Sequence, residues 1–215
     1  MHKARLFRPS LPAFLGGAEL APPMLSEITE AVATVDASTA WVLGQGYGCA
    51  MSAAFMDEGP ARHVFGPDDA VLAWGAGAQG TAVPCEGGYR VTGTWRFASG
   101  GKHATWIGAH CRVVDADGTP HHYPDGRPLL RTALFPRAEV EILDDWYVMG
   151  LKGTRSEGYT IADQFVEQAL TLDREVMSER RVQSPLYKFP TTNVYAGNFS
   201  GVALGIARGA LDDLR

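Results

Sequence analysis

Three cysteines in 215 residues, Cys49, Cys85 and Cys111, are odd in number and widely spaced, and no two of them form a CxxC pair. That pattern excludes a disulfide framework and a cysteine zinc site, and it reads as reduced core thiols in a cytoplasmic protein. Charge of positive sign is also short: 19 Lys and Arg stand against 24 Asp and Glu, for a net charge of −5, and no basic run exceeds the pair Arg180, Arg181. Nothing supplies the basic stripe that phosphate backbones require, so nucleic acid is not expected as a partner. No leader-like apolar stretch opens the chain, because Met1 to Lys3 runs into Arg5, Arg8, Pro9 and Pro12. The uncharged stretch between Asp36 and Asp57 is long enough for a bilayer, but Ser38, Thr39, Gln45, Ser52 and glycines 44, 46 and 48 dilute it. It reads as a buried helix, and no membrane is expected. GxSxG and HExxH are missing too, which leaves hydrolase chemistry without local support.

What is present sorts into three textures. Ser26 to Glu30 followed by Ala31, Val32 and Val35 predicts a helix opening at Ser26 with acidic residues in its first turn, ahead of the buried helix. From about Asp68, β-branched and aromatic residues come in short runs between glycines, prolines and Asp-Gly turns. Strands are expected at Thr81–Cys85, Tyr89–Phe97, Ile107–Val114, Thr132–Phe135, Val140–Leu143 and Tyr159–Val166, with the first two joined as a hairpin through Glu86-Gly87-Gly88. In the second of these, Tyr89, Val91, Gly93, Trp95 and Phe97 share one face. After Pro190 the helical texture returns, and Gly197, Gly201, Gly205 and Gly209 form a four-residue ridge suited to close backbone packing. Each glycine costs about 1 kcal/mol of helix propensity, so the ridge needs a neighbour: the helix around 38–56, another subunit, or a segment outside this chain. The expected division is 1–67 helical, 68–175 β, and 176–215 a linker with one long helix.

Two motifs have plain readings. Gly75-Ala76-Gly77-Ala78-Gln79-Gly80 fits GxGxxG, but Gly80 leads into a strand and Pro84 instead of opening a helix, so it is a flexible loop able to approach a ligand. His121-His122 with Asp125 lies between Pro120 and Gly126 and reads as a solvated turn, not a metal site. The stretch GGYRVTGTWRFASGG, Gly87 to Gly101, is more informative. By itself it is a hydrophobic strand ending in a turn, yet that turn sets a hydroxyl and backbone donors beside large aromatic surfaces, which is what a flat redox heterocycle needs.

That stretch, with DDWYVMGLKGTRSEGYTIADQFV (Asp144 to Val166), PLYKFP (Pro185 to Pro190) and ALGIARGALD (Ala203 to Asp212), resembles the acyl-CoA dehydrogenase superfamily in sequence and order. The closest resemblance is to its flavin-dependent monooxygenase branch, with dibenzothiophene monooxygenase and the phenol and steroid hydroxylases. The resemblance implies an α+β fold: a helical N-terminal domain, a central antiparallel β-barrel-like domain and a C-terminal helical bundle, here incomplete. It implies flavin, FAD or FMN, at the β-domain edge. Ser99 would be the catalytic group at flavin N5, with Phe97, Ala98, Gly100, Trp74 and Gly75 contacting the cofactor. Thr154 and Ser156, with Trp41 and Tyr47 of the buried helix, would form the substrate pocket. As a rim hydroxyl, Ser99 should contribute little to folding. The implied activity is oxygenation of an apolar or aromatic substrate by a component that takes reduced flavin from a separate reductase. Acyl-CoA dehydrogenation and a catalytically inactive half-protein are the alternatives. A homo-oligomer, or a complementary chain meeting the C-terminal helix, is expected. The histidine that some monooxygenases carry on the early helix is not evident; Cys49 lies in that region.

Overall fold

The structure is a computed structural model and describes residues 1–174 and 176–215. Three helices precede the sheet. α1 (Pro22–Ala33) begins four residues earlier than the acidic pattern around Ser26 predicts, because two prolines occupy its first turn, where a missing N–H costs nothing. α2 (Ala37–Ala50) is capped by Asp36, whose carboxylate accepts from the Thr39 N–H at 2.6 Å. It continues as a buried 3-10 turn through Phe55, so the uncharged stretch is interior helix, as its composition predicts. α3 (Glu58–Phe65) follows, and no helix among the described residues is long and apolar enough to cross a membrane.

The β-region holds β1 (Leu72–Trp74), β2 (Gly80–Cys85), β3 (Gly88–Trp95), β4 (Trp106–Val113), β5 (Leu130–Pro136), β6 (Glu141–Ile142), β7 (Tyr159–Glu167) and β8 (Thr171–Leu172). They form one eight-stranded sheet in the order β6-β7-β3-β2-β4-β5-β8, with β1 alongside β4. The expected α+β fold is present, and its barrel-like β-domain is mostly antiparallel. The sheet is open, and β4 takes both β1 and β2 as parallel partners. Of the three shortest strands, β6 lies within the expected Val140–Leu143 run, whereas β1 and β8, three and two residues long, fall outside every expected strand.

The sheet core explains one glycine of β2 and one of β3. Trp95 is fully buried and stacks on Tyr159 with ring centres 5.2 Å apart. A Cβ at Gly80 or Gly93 would run into its indole, so both positions must lack side chains. The indole N–H donates to the His110 carbonyl at 2.9 Å, and Tyr159 Oη donates to the Gly108 carbonyl at 2.5 Å, so the buried polar atoms of the stack are satisfied. Period-2 alternation holds through Trp95 and then stops. Phe97 adopts φ +65° and is 59% exposed, so it leaves the face the alternation assigned to it. Cys49 and Cys111 are buried free thiols, as expected; Cys85, at the β2 hairpin end, is exposed instead.

α4 (Thr191–Asp212) settles the glycine ridge, and its partner is none of the three anticipated. The ridge packs on α1. A side chain at Gly201 would overlap the Ser26 carbonyl, one at Gly205 the Glu30 carbonyl, and one at Gly209 would sit 2.7 Å from the Thr34 carbonyl. Gly197 meets nothing, although its carbonyl accepts from Ser26 Oγ at 2.8 Å. A second face of α4 crosses α2, where Asn198 Nδ2 donates to the Gly44 carbonyl at 3.1 Å and Gly48 clears the ring of Tyr195. The helix is thereby fixed in rotation, which aims Tyr195 and Phe199, one turn apart, at the edge of the sheet.

Candidate functional site

Where the ends of β1 and β3 meet α2 and α4 lies a cavity of about 690 Å³, within the range of cofactor and ligand pockets. Its walls include Trp41 and Gln45 of α2, Trp74 to Ala78 after β1, Phe97 and Ser99 after β3, and His110 of β4. Trp146, Leu151, Thr154 and Ser156 come from the loop before β7, Arg174 follows β8, and Tyr195, Ala196 and Phe199 come from α4. Trp41 and Phe199 stack with ring centres 4.3 Å apart and planes 7° off parallel, giving a flat aromatic wall.

A line of polar groups runs along this wall. Trp41 Nε1 donates to Ser99 Oγ at 3.0 Å; Ser99 and Ser156 hydroxyls are 2.8 Å apart, and Ser156 and Thr154 hydroxyls 2.6 Å. Thr154 Oγ1 donates to the Leu151 carbonyl at 2.9 Å. An indole can only donate and a carbonyl can only accept, so the two ends give the chain its direction. With each hydroxyl donating onward, the Ser99 proton points at Ser156. One Ser99 lone pair takes the indole N–H, and the other is left as an acceptor.

The backbone holds this line by conformations ordinary residues avoid. Phe97, Leu151 and Arg155 have φ of +65°, +53° and +44°, a cluster of left-handed non-glycine residues at one site. Gly100, at φ +77°, lets the turn approach α2: a Cβ there would lie 2.8 Å from Val42 Cγ1. Its N–H donates to the Thr154 carbonyl at 2.8 Å, and the Ala98 N–H donates to the Glu157 carbonyl at 3.1 Å. Glu157, nearly fully buried, is paired with Arg155 at 2.6 Å and Lys102 at 3.3 Å.

A second polar group comes from the far strands. Trp74 carries the Arg174 guanidinium on its ring at 4.3 Å and meets the His110 ring edge-on at 4.6 Å. His110 Nδ1 shares a hydrogen with Thr132 Oγ1 at 2.7 Å. Burial, then the nearby Arg174 charge, pushes the imidazole down to about 3, so it is neutral at physiological pH. Cys49 Sγ lies 3.7 Å from Tyr195 Oη behind this wall. Burial raises the thiol to about 12 and the phenol well above its ordinary value, so neither is a proton carrier near neutrality.

Of the anticipated residues, Ser99, Phe97, Trp74, Gly75, Trp41, Thr154 and Ser156 converge on this one cavity. Ala98, Gly100 and Tyr47 do not line it. Ala98 and Gly100 are buried in the turn that carries Ser99, and Tyr47 is buried on the inner side of α2 with its hydroxyl unpartnered. Ser99 is not a rim group either, being 8% exposed and bonded to two side chains. Sequence reasoning missed His110, Trp146, Arg174, Tyr195 and Phe199. The last two sit at i, i+4 on a predicted helix and so could have been paired; Arg174 gives no local signal. His121, with its ring 2.7 Å from the Asp115 carboxylate, stays in the solvated turn, and no metal-holding cluster occurs among the described residues.

No family model matches the chain. Individual relatives do. The oxygenase subunit HsaA of a flavin-dependent monooxygenase from Mycobacterium tuberculosis is 31% identical over 91% of this chain and 49% of its own length. The indole-3-acetate monooxygenase of Pseudomonas putida is 29% identical over 97% of this chain and 51% of its own. The chain is a homologue of flavin-dependent monooxygenase oxygenase subunits. Its fold is acyl-CoA dehydrogenase-like. Among solved structures, XiaF from Streptomyces in complex with FADH2 and glycerol superposes with a TM-score of 0.83 at 27% identity, over 97% of this chain and 52% of that one. The chain thus spans about half the length of the relatives it matches.

Proposed function

We propose that this chain forms the flavin-binding face of a two-component monooxygenase and helps position an aromatic substrate for hydroxylation by reduced flavin and O2, the reduced flavin coming from a separate reductase. The observation that carries this reading is the directed chain from Trp41 through Ser99 and Ser156 to Thr154, set into an aromatic cavity of about 690 Å³. A relative named as a flavin-dependent monooxygenase oxygenase subunit, and another named as an indole-3-acetate monooxygenase, support it.

The residues present fit a flavin. The stacked Trp41 and Phe199 and the rings of Phe97 and Trp146 offer flat apolar surface, and the loop at Gly75 and Gly77 lets a ring edge approach backbone. Bound reduced flavin would supply the oxygen-activating chemistry. The chain's own part is electrostatic. With its proton committed to Ser156, Ser99 presents a lone pair, the polarity that suits the N5–H of a reduced ring better than the bare N5 of an oxidised one. The reduced form is therefore the one held. Trp41 and Ser156 fix Ser99 from two sides, so no reorganisation accompanies binding, and the aromatic wall keeps water away from the reacting region.

The test is anaerobic titration of the purified chain with photoreduced and oxidised FMN and FAD, followed by tryptophan fluorescence. Saturable binding that favours the reduced form, weakened at least about tenfold in Ser99→Ala, is expected. Absence of saturable binding, or a preference for oxidised flavin that Ser99→Ala leaves intact, would overturn the reading.

A further inference from the structure

Among the described lining residues of the cavity, the guanidinium of Arg174 is a charge that no ion pair answers. Among the described residues it has no ion pair, and its Nη1 is sealed from solvent without a hydrogen-bond partner. The adjacent Asp173 carboxylate is turned to Tyr123 Oη, 2.5 Å away. What holds Arg174 is the face of Trp74, with the guanidinium carbon 4.3 Å from the ring centre, which keeps the group in place while leaving its in-plane N–H edge to other partners. Arg174 is half-buried, and a sealed N–H without a partner is costly unless something binds it. The neighbouring groups suit an anion: His110 is neutral, its Nδ1 occupied by Thr132, and the described lining residues include no carboxylate to compete.

We propose that Arg174 anchors the carboxylate of an aromatic acid substrate by a paired N–H to oxygen contact, with Trp74 as the platform that orients the guanidinium. Bidentate geometry is what a planar guanidinium offers a carboxylate and a lysine ammonium does not. The aromatic body then lies along the apolar lining shared by Trp74, Tyr195 and Phe199. This deepens the proposed function by naming the substrate class, and it rests on that reading for the reaction but not for the capture of the anion.

The experiment therefore omits flavin at first. Phenylacetate and its neutral isostere phenylacetamide are titrated into the chain by calorimetry, for the native protein and for Arg174→Gln and Arg174→Lys. Circular dichroism melts check that the variants fold. The acid should bind at least about tenfold tighter than the amide; Arg174→Gln should erase that preference, and Arg174→Lys should keep only part of it. Equal affinity for acid and amide, no binding of either, or a preference that survives in Arg174→Gln would overturn the proposal. A second arm compares FMN with riboflavin. If Arg174→Gln lowers FMN affinity and spares riboflavin, the guanidinium holds a cofactor phosphate and the substrate assignment falls. Flavin binding without acid preference sinks only this inference. Acid preference without flavin binding sinks only the monooxygenase reading.

Discussion

The two polar groups of the cavity wall are built on opposite principles. Around Ser99 every polar atom is answered within the protein: indole to hydroxyl, hydroxyl to hydroxyl, hydroxyl to carbonyl. Around Arg174 a charged donor is held by a ring face and left open. A satisfied network stabilises the fold and offers a ligand a fixed lone pair, whereas an unsatisfied cation costs stability and offers strong attraction. Substitutions on the Ser99 side should therefore damage folding and binding together, and those on the Arg174 side should separate them.

The largest effect should come from the turn that carries Ser99. Gly100→Val would force a β-branched residue into φ +77° and bring its Cβ within 2.8 Å of Val42 on α2. Left-handed backbone and overlap together should cost about 3 kcal/mol, read as a lower urea midpoint at unchanged slope. Next is Ser99→Ala. It strands the Trp41 N–H and should cost about 1–3 kcal/mol, so the expectation of a hydroxyl that contributes little to folding gives way to one the fold relies on. Loss of flavin affinity with wild-type stability would show that Trp41 finds another acceptor and that the chain is less determined than its geometry implies.

A pH scan probes the other side. His110 is held down to about 3 from an ordinary 6.5, chiefly by burial. Between those values the unfolded chain binds a proton that the folded chain refuses, so stability falls as pH drops through the window and is fully recovered above about 6.5. The slope is at most about 1.4 kcal/mol per unit, and less as cavity water reaches the ring. Exposed carboxylates with lowered values, Asp117, Asp125 and Asp163, act below their ordinary 3.8, so the span from 6 to 5 isolates the imidazole among the shifted groups. Denaturation of His110→Gln alongside the native chain should show about 1 kcal/mol less loss across that unit; parallel curves would mean that His110 protonates in the folded state.

The same contrast marks what the sequence could disclose. The strand alternation through Trp95, the hairpin glycines and the buried helix are local patterns, and all three are where they were expected. Ser99 and its turn were legible because a short motif carries them. The partner of the glycine ridge was not, because a helical face says that something packs there and never which of two preceding helices does; α1 and α2 both contact α4, on different faces. Phe97 departed from its strand because period 2 cannot foresee a left-handed residue. Arg174 lies beyond any pattern: it is one arginine after a two-residue strand, and only the pairing of β8 with β5 carries it to a tryptophan about a hundred residues earlier in the chain.

The smallest expected effect is also the sharpest. Arg174→Met replaces an unpaired guanidinium by an apolar chain of similar length that can still lie on the Trp74 face. If the charge serves a ligand, its removal takes away an unsatisfied buried N–H and no protein partner, so the chain should be unchanged or more stable by up to about 1 kcal/mol. Its preference for the aromatic acid should nonetheless disappear. A loss of stability above about 1 kcal/mol would instead mean that Arg174 supports the wall, and the difference between the two sides of the cavity would collapse.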